Sequence, residues 1–365
     1  MTNTHRNWLI AALTNQNLPA LTEQQYHELL DEANANGVLV ILEKSLKYHP
    51  QVAEIDTDLL AQLQSAAKQV LMDQLVFLGE QKKVLTVLNV AGIPYILMKG
   101  AALGHWLYES PMDRPITDID IWLRDKESVF SLRDLLEPLG YVCQPSLGAL
   151  TTQEQAFDKI MHDSIIRIDA HWQMFNSALL SKYIDFEDMY ARAICIDAEQ
   201  PNGKYLAINE ALINSIGHRA MKYITKNGYV LKWLLDQHLM FSQLSNVQWQ
   251  QLIKQSQQYA ISDLTLDALQ VSATQFATRV PESVLRALQQ QANNEKIKRR
   301  WFQSWLSYQW HEMCAAAPTF SAKLFWFQQR FWPNPEAVRE RHGKNDPVWK
   351  FMFKRIGFGI KRLFR

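Results

Sequence analysis

The sequence predicts an α+β fold: a small mixed sheet, the core of the molecule, flanked by N-terminal and C-terminal helical regions. Three observations predict it. Short apolar runs of strand length cluster between residues 93 and 205, and an amphipathic helix separates two of them. Stretches with helical periodicity lie on both sides, over residues 22–90 and 209–317. At 365 residues and 47% hydrophobic content, the chain is long enough to fill more than one core. The expected division is a helical region over 1–92, the mixed core over 93–205, a helical domain over 206–345 and a basic tail over 346–365.

The first helix follows from a capping box, Thr22 with Gln25, and from Tyr26, Leu29, Leu30 and Ala33 at helical spacing until Asn36-Gly37 ends it. Val38 to Leu46 reads as a second helix. Thr57 caps a longer one, with apolar positions from Leu60 to Leu88, and Ala91-Gly92 and Pro94 stop it. This block is expected to pack against the sheet. Tyr95 to Met98 is a short apolar strand, and Lys99-Gly100-Ala101 opens a helix behind it. Thr117 to Trp122 reads as the next strand. An amphipathic helix follows between Asp125 and Gly140, then short strands at Tyr141–Cys143, Ser164–Trp172 and Ala193–Ile196. Beyond Asn209 the chain reads almost entirely helical.

Composition narrows the function. A net charge of +1 gives no global attraction to nucleic acid. The apolar run Trp8–Leu13 is too short for a signal-peptide core, and no run approaches the roughly 20 residues of a membrane span. A cytoplasmic protein is expected. Cys143, Cys195 and Cys314 lack the spacing of a zinc site or a disulfide framework and read as buried small hydrophobes. The aromatic residues from Trp301 to Trp332 suit either core packing or a base- or sugar-stacking surface. A phosphate-loop lysine motif and a dinucleotide fingerprint are both absent, which argues against kinase-like NTPases and dehydrogenases.

The chemistry concentrates in Thr117-Asp118-Ile119-Asp120-Ile121-Trp122. In a strand, side chains alternate, so Asp118 and Asp120 share one face while Ile119 and Ile121 point into a core. Two carboxylates so close repel each other, and a divalent metal between them is the economical explanation. Mg²⁺, or Mn²⁺ in its place, suits hard oxygen ligands and a substrate phosphate. Asp169, with Arg167 and His171, faces one side of the later strand and supplies a third carboxylate. His171 is either a substrate contact or a structural histidine. The strand, glycine turn and helix start at Lys99, Gly100 and Ala101 present backbone N–H groups to an anion. Arg114, between Pro111 and Pro115, is either a phosphate contact or a loop arginine paired with Asp113 or Glu109. His218 and Lys222 lie one helical turn apart and share a face that reaches toward a nucleotide.

The segments "LMKGAAL", "RPITDIDI" and "RIDAHW", in that order, resemble a family of bacterial nucleotidyltransferases within the DNA polymerase beta-like superfamily. The later run Leu231-Lys232-Trp233-Leu234-Leu235-Asp236 is similar to that family's helical region. The resemblance implies that Asp118 and Asp120 hold a metal bridging the nucleotide phosphates. It also implies that Asp169 completes a second metal position or acts as general base on an acceptor hydroxyl. The implied partners are an NTP and an acceptor: a small molecule, a protein or an RNA end. The superfamily's usual Gly-Ser at the helix start is Gly100-Ala101 here, so Lys99 or Arg114 is expected to replace the lost hydroxyl contact. Two other readings share these residues, a nucleotide-binding scaffold without turnover and a toxin-antitoxin type module that modifies a protein. The basic amphipathic tail, Val348 to Arg365, is expected to meet an anionic membrane, nucleic acid or the protein's own body.

Overall fold

The computed structural model describes residues 3–331 apart from 147, 149, 162, 163, 199 and 224–226, together with 334–336, 339 and 349. The tail expected over 346–365 lies outside the described residues, Trp349 excepted.

A mixed sheet sits at the centre, with helices before and after it, as the sequence predicts. In chain order its strands are β1 (Tyr95–Leu97), β2 (Ile119–Leu123), β3 (Val142–Cys143), β4 (Glu154–Met161), β5 (Ser164–His171), β6 (Ile194–Cys195) and β7 (Gly203–Tyr205). Side by side they run β3-β4-β5-β2-β1-β7-β6. β2 is antiparallel to β1 and parallel to β5, so the two strands with candidate carboxylates are direct neighbours. β4, a long partner of β5, has no counterpart in the sequence reading. Of its apolar residues Phe157 is the one large side chain fully buried, and buried Gln155 shares its side, so the alternation is weak.

Helices α1 (Asn3–Leu13), α2 (Glu23–Ala35), α3 (Leu39–Lys47) and α4 (Thr57–Val90) precede the sheet. The cap of α4 is Asp56, which accepts from the Asp58 and Leu59 N–H groups, rather than Thr57. α5 (Lys99–Trp106) and α6 (Lys126–Leu136) lie within the sheet segment, as do α7 (Ala178–Ser181) and α8 (Phe186–Arg192). Then come α9 (Ile208–Met221), α10 (Leu231–Ser242), α11 (Asn246–Gln258), α12 (Ser262–Phe276), α13 (Glu282–Asn294), α14 (Arg299–Gln303), α15 (Trp305–Ala316) and α16 (Phe320–Phe331).

One sheet face, with Leu97, Ile119, Ile121 and Ile168, packs on Val84, Leu85 and Leu88 of α4 and on Val129 and Leu132 of α6. Ile96, Met98 and Trp122 point the other way and join Leu212, Ile213 and Ile216 of α9. The N-terminal block only half matches the expected packing. The C-terminal half of α4 covers the sheet, whereas α1–α3 and Leu59 and Leu63 of α4 pack on Leu231, Leu234 and Leu235 of α10. The reason is length: at 34 residues α4 runs about 50 Å, past the edge of a small sheet.

One expectation on single residues changes, and one choice left open by the sequence divides. Cys195 and Cys314 are exposed and Cys143 is partly buried; all are free thiols. Among the late aromatics Phe302 and Trp326 are buried, whereas Trp310, Phe325 and Phe327 remain on the surface. No helix among the described residues is long and apolar enough to cross a membrane.

Candidate active site

The site forms where β2 and β5 run side by side. Asp120 and Asp169 are register partners across the pair, so their carboxylates emerge on the same face. Asp118 precedes β2 by one residue and joins them. One oxygen from each of the three carboxylates lies within 4.8 Å of the others. Opposite them Ile119, Ile121 and Ile168 are fully buried and fix the strands, so the period-two pattern places the acids.

Asp120 is the most enclosed of the three. Its Oδ1 accepts from the Lys99 ammonium at 2.5 Å and lies 3.0 Å from His171 Nε2. Its Oδ2 has no hydrogen-bond donor among the described residues. Burial alone would raise this carboxyl, but the Lys99 charge and the His171 contact outweigh it and hold Asp120 far below the usual carboxylate range. Burial pushes Asp118 up, and the Asp120 charge adds to it. Asp169 is pushed up to about 7 by burial and by the charges of Glu154 and Asp120. Crowded acids that raise one another, with a free oxygen on the third, suit a hard divalent cation. These three residues can hold one.

Lys99 stands at φ +50°, the left-handed region that a lysine rarely adopts. That turn carries the chain from β1 into α5 and places the ammonium over Asp120. At Gly100 an added Cβ would lie 3.0 Å from Arg114 Nη1 and 3.0 Å from Ile116 Cγ2, so only glycine fits without displacing them. Ala101 is different. Its methyl is buried between the sheet and α4, so its contribution to the site is limited to its backbone N–H.

Arg114 lines the same cleft with its guanidinium already engaged. Nε and Nη2 bind Asp236 at 2.9 and 2.7 Å, and Nη1 donates to the Pro115 carbonyl at 2.9 Å. The Tyr108 hydroxyl donates to the same carboxylate at 2.6 Å. The partners expected from the sequence, Asp113 and Glu109, instead bind Lys44. Arg114 thus fastens the loop before β2 to α10. Both charges are buried, so Asp236→Asn is expected to cost about 3–5 kcal/mol of stability, the penalty for stranding one of them. A urea-denaturation change under about 1 kcal/mol, the range of an exposed pair, would refute that role.

Two cavities meet at the carboxylates. One, of about 250 Å³, holds Asp118 and Asp120 beside Lys99, Gly100 and the first turn of α5. The other, of about 260 Å³, holds Asp118 and Asp169 beside Glu154. His218 and Lys222 line both, so the structure brings this predicted pair to the carboxylates. Burial, and then the Lys99 charge, push His218 well below the ordinary histidine range, so its ring is neutral; it packs edge-on against Trp233 at 4.7 Å.

Lys232, in the first cavity, was not singled out as a site residue from the sequence. Burial and the Arg114 charge push its ammonium down to about 8. Its stem is seated against the N-terminal block: a Cβ added at Gly37 would come within 2.6 Å of Lys232 Cδ. The available signal was Lys232 and Asp236, four residues apart, as the polar pair in an apolar helical run.

A mixed sheet that brings three carboxylates together beside a helix N-terminus and several cations has the parts required for phosphoryl or nucleotidyl transfer. Residues 22–277 match the model of a family described as uncharacterised nucleotidyltransferase, and the chain belongs to that family. The match runs from α2 to the end of α12 and so includes the carboxylates, Lys99 and Lys232. No curated protein matches the chain, and no solved structure does.

Proposed function

We propose that the protein transfers a nucleoside monophosphate from an NTP to an acceptor hydroxyl, with Mg²⁺ or Mn²⁺ held at the phosphates chiefly by Asp118 and Asp120 and with Asp169, the third carboxylate of the cluster, on the acceptor side. The observation that carries this reading is the convergence of the three carboxylates at the junction of two cavities. The divalent ion supplies charge neutralisation at the phosphates. The cavity beside α5 suits the triphosphate: it is lined by Gly100 at the helix start and by Lys99, Lys222 and Lys232. The cavity beside Asp169 suits the acceptor. The acceptor oxygen bonds to the α-phosphorus, the bond from that phosphorus to pyrophosphate breaks, and the acceptor proton passes to Asp169. Positioning and electrostatics carry the rate, with no covalent intermediate.

The Lys99–Asp120 contact supports a second reading, a nucleotide-binding protein without turnover in which the ammonium supplies the positive charge. Incubation with each α-labelled NTP and Mg²⁺ in the presence of cell lysate separates the two. Transfer of label to another molecule, dependent on the ion, is the expected result; tight NTP binding indifferent to Mg²⁺, with no transfer, would establish the second reading. In the first, Lys232→Met is expected to weaken NTP binding about 10- to 100-fold, the range for losing a bond to a charged group. Calorimetric titration checks this, and an unchanged affinity would remove Lys232 from the phosphate site.

A further inference from the structure

On its Asp169 side the site opens into a larger space. Glu154, Asn176 and Tyr308 line the 260 Å³ cavity and also a groove of about 1110 Å³ that extends over β3, β4 and β5 to α15 and α16. A pocket for one small metabolite needs no such extension, since such sites run about 300–1,000 Å³ in all. A groove of this size has room for a long acceptor with one end at Asp169.

The groove's chemistry narrows the class. Its acids, Glu154, Asp158 and Glu312, are matched by Arg167, Arg330 and Arg339, and no lysine lines it among the described residues. Arg167 is already engaged by Asp158 through bonds of 2.8 and 2.7 Å. A wall without excess positive charge is poorly suited to a polyanion, which is held mainly through its phosphates. Amide and hydroxyl side chains such as Gln144, Thr151 and Gln309 fill much of the remainder. Trp326 is 4% exposed, and its Nε1, like Arg330 Nε, is a buried donor with no partner among the described residues. Buried donors are normally satisfied, and oxygen acceptors on a ligand in the groove would satisfy these two.

We infer that the acceptor is a neutral polyhydroxylated chain, a glycan of several sugar units, laid along this groove with one hydroxyl at Asp169. Sugar hydroxyls both donate and accept, which matches an uncharged lining of amides and hydroxyls with unpaired donors. The inference rests on the nucleotidyltransferase reading. The product is a phosphodiester between the nucleoside monophosphate and the glycan hydroxyl, with pyrophosphate released and the hydroxyl proton taken by Asp169.

The test uses the full chain, Mg²⁺, each α-labelled NTP and three separate acceptor pools: neutral oligosaccharides of several units, random-sequence RNA, and a peptide library containing Ser, Thr and Tyr. Label is expected in the oligosaccharides. Arg330→Met should raise the KM for the labelled oligosaccharide about 10-fold or more and Trp326→Phe about 3- to 10-fold, with NTP affinity unchanged. Label in RNA or peptide, label in none of the pools despite Mg²⁺-dependent NTP binding, or an unmoved KM in both variants would overturn the glycan assignment and leave the nucleotidyltransferase reading standing. Loss of Mg²⁺-dependent NTP binding in the unaltered protein would instead remove that reading itself.

Discussion

Asp118→Asn is expected to abolish transfer, lowering kcat by at least about 10²–10³-fold, the loss that follows removal of a single preorganised electrostatic contact. The amide keeps the shape of the carboxylate but is a poor ligand for a hard divalent ion. The fold should survive. Asp118 lies outside the regular strand and is pushed up by burial and by Asp120, so its charge opposes folding of the metal-free chain. Its neutral replacement should leave the metal-free melting temperature unchanged or higher, while the Mg²⁺-induced rise expected of the parent protein shrinks. Asp120→Asn is a less clean test, because it also strands the Lys99 ammonium. Parental turnover in Asp118→Asn would end the assignment of this carboxylate to the metal.

Asp169→Asn should separate binding from chemistry. Asp169 lines the second cavity and not the first, while Lys99 lines both and Gly100 lines the first. NTP affinity should therefore fall little, while transfer drops by about 10²–10⁴-fold, the range for losing a positioned proton acceptor. Equilibrium binding of a non-hydrolysable NTP analogue beside single-turnover rates gives both quantities. A fall in NTP affinity equal to that of Asp118→Asn would move Asp169 to the nucleotide side. Like Asp118, Asp169 is crowded by other acids, so removing its charge should also stabilise the metal-free protein.

The carboxylates were legible in the sequence because two physical signals coincide there. Isoleucines at alternate positions fix the strand face, and acids between them have no reason to be enclosed unless something positive joins them. Lys99-Gly100 was legible for a similar reason, an apolar strand ending at a glycine where a helix begins. What stayed hidden depends on contacts that local pattern does not encode. Arg114 and Asp236 are 122 positions apart, so the nearby acids Asp113 and Glu109 were the natural partners to name. Lys232 looks like any solvated helical lysine until the fold turns it toward Asp118. β4 takes its stability from pairing with β5 along its whole length rather than from its own apolar content.

The seating of Lys232 against Gly37 bears on how the molecule can be divided. Leu231, Leu234 and Leu235 are buried against the helices that precede the sheet, and the same helix carries Lys232 and Asp236 toward the carboxylates. A search for a minimal active fragment by trimming back to the first strand would remove the wall behind that helix and leave three leucines facing water. Such a fragment would fail through aggregation and a misplaced lysine, with every carboxylate still in its sequence, and its silence would say nothing about the chemistry.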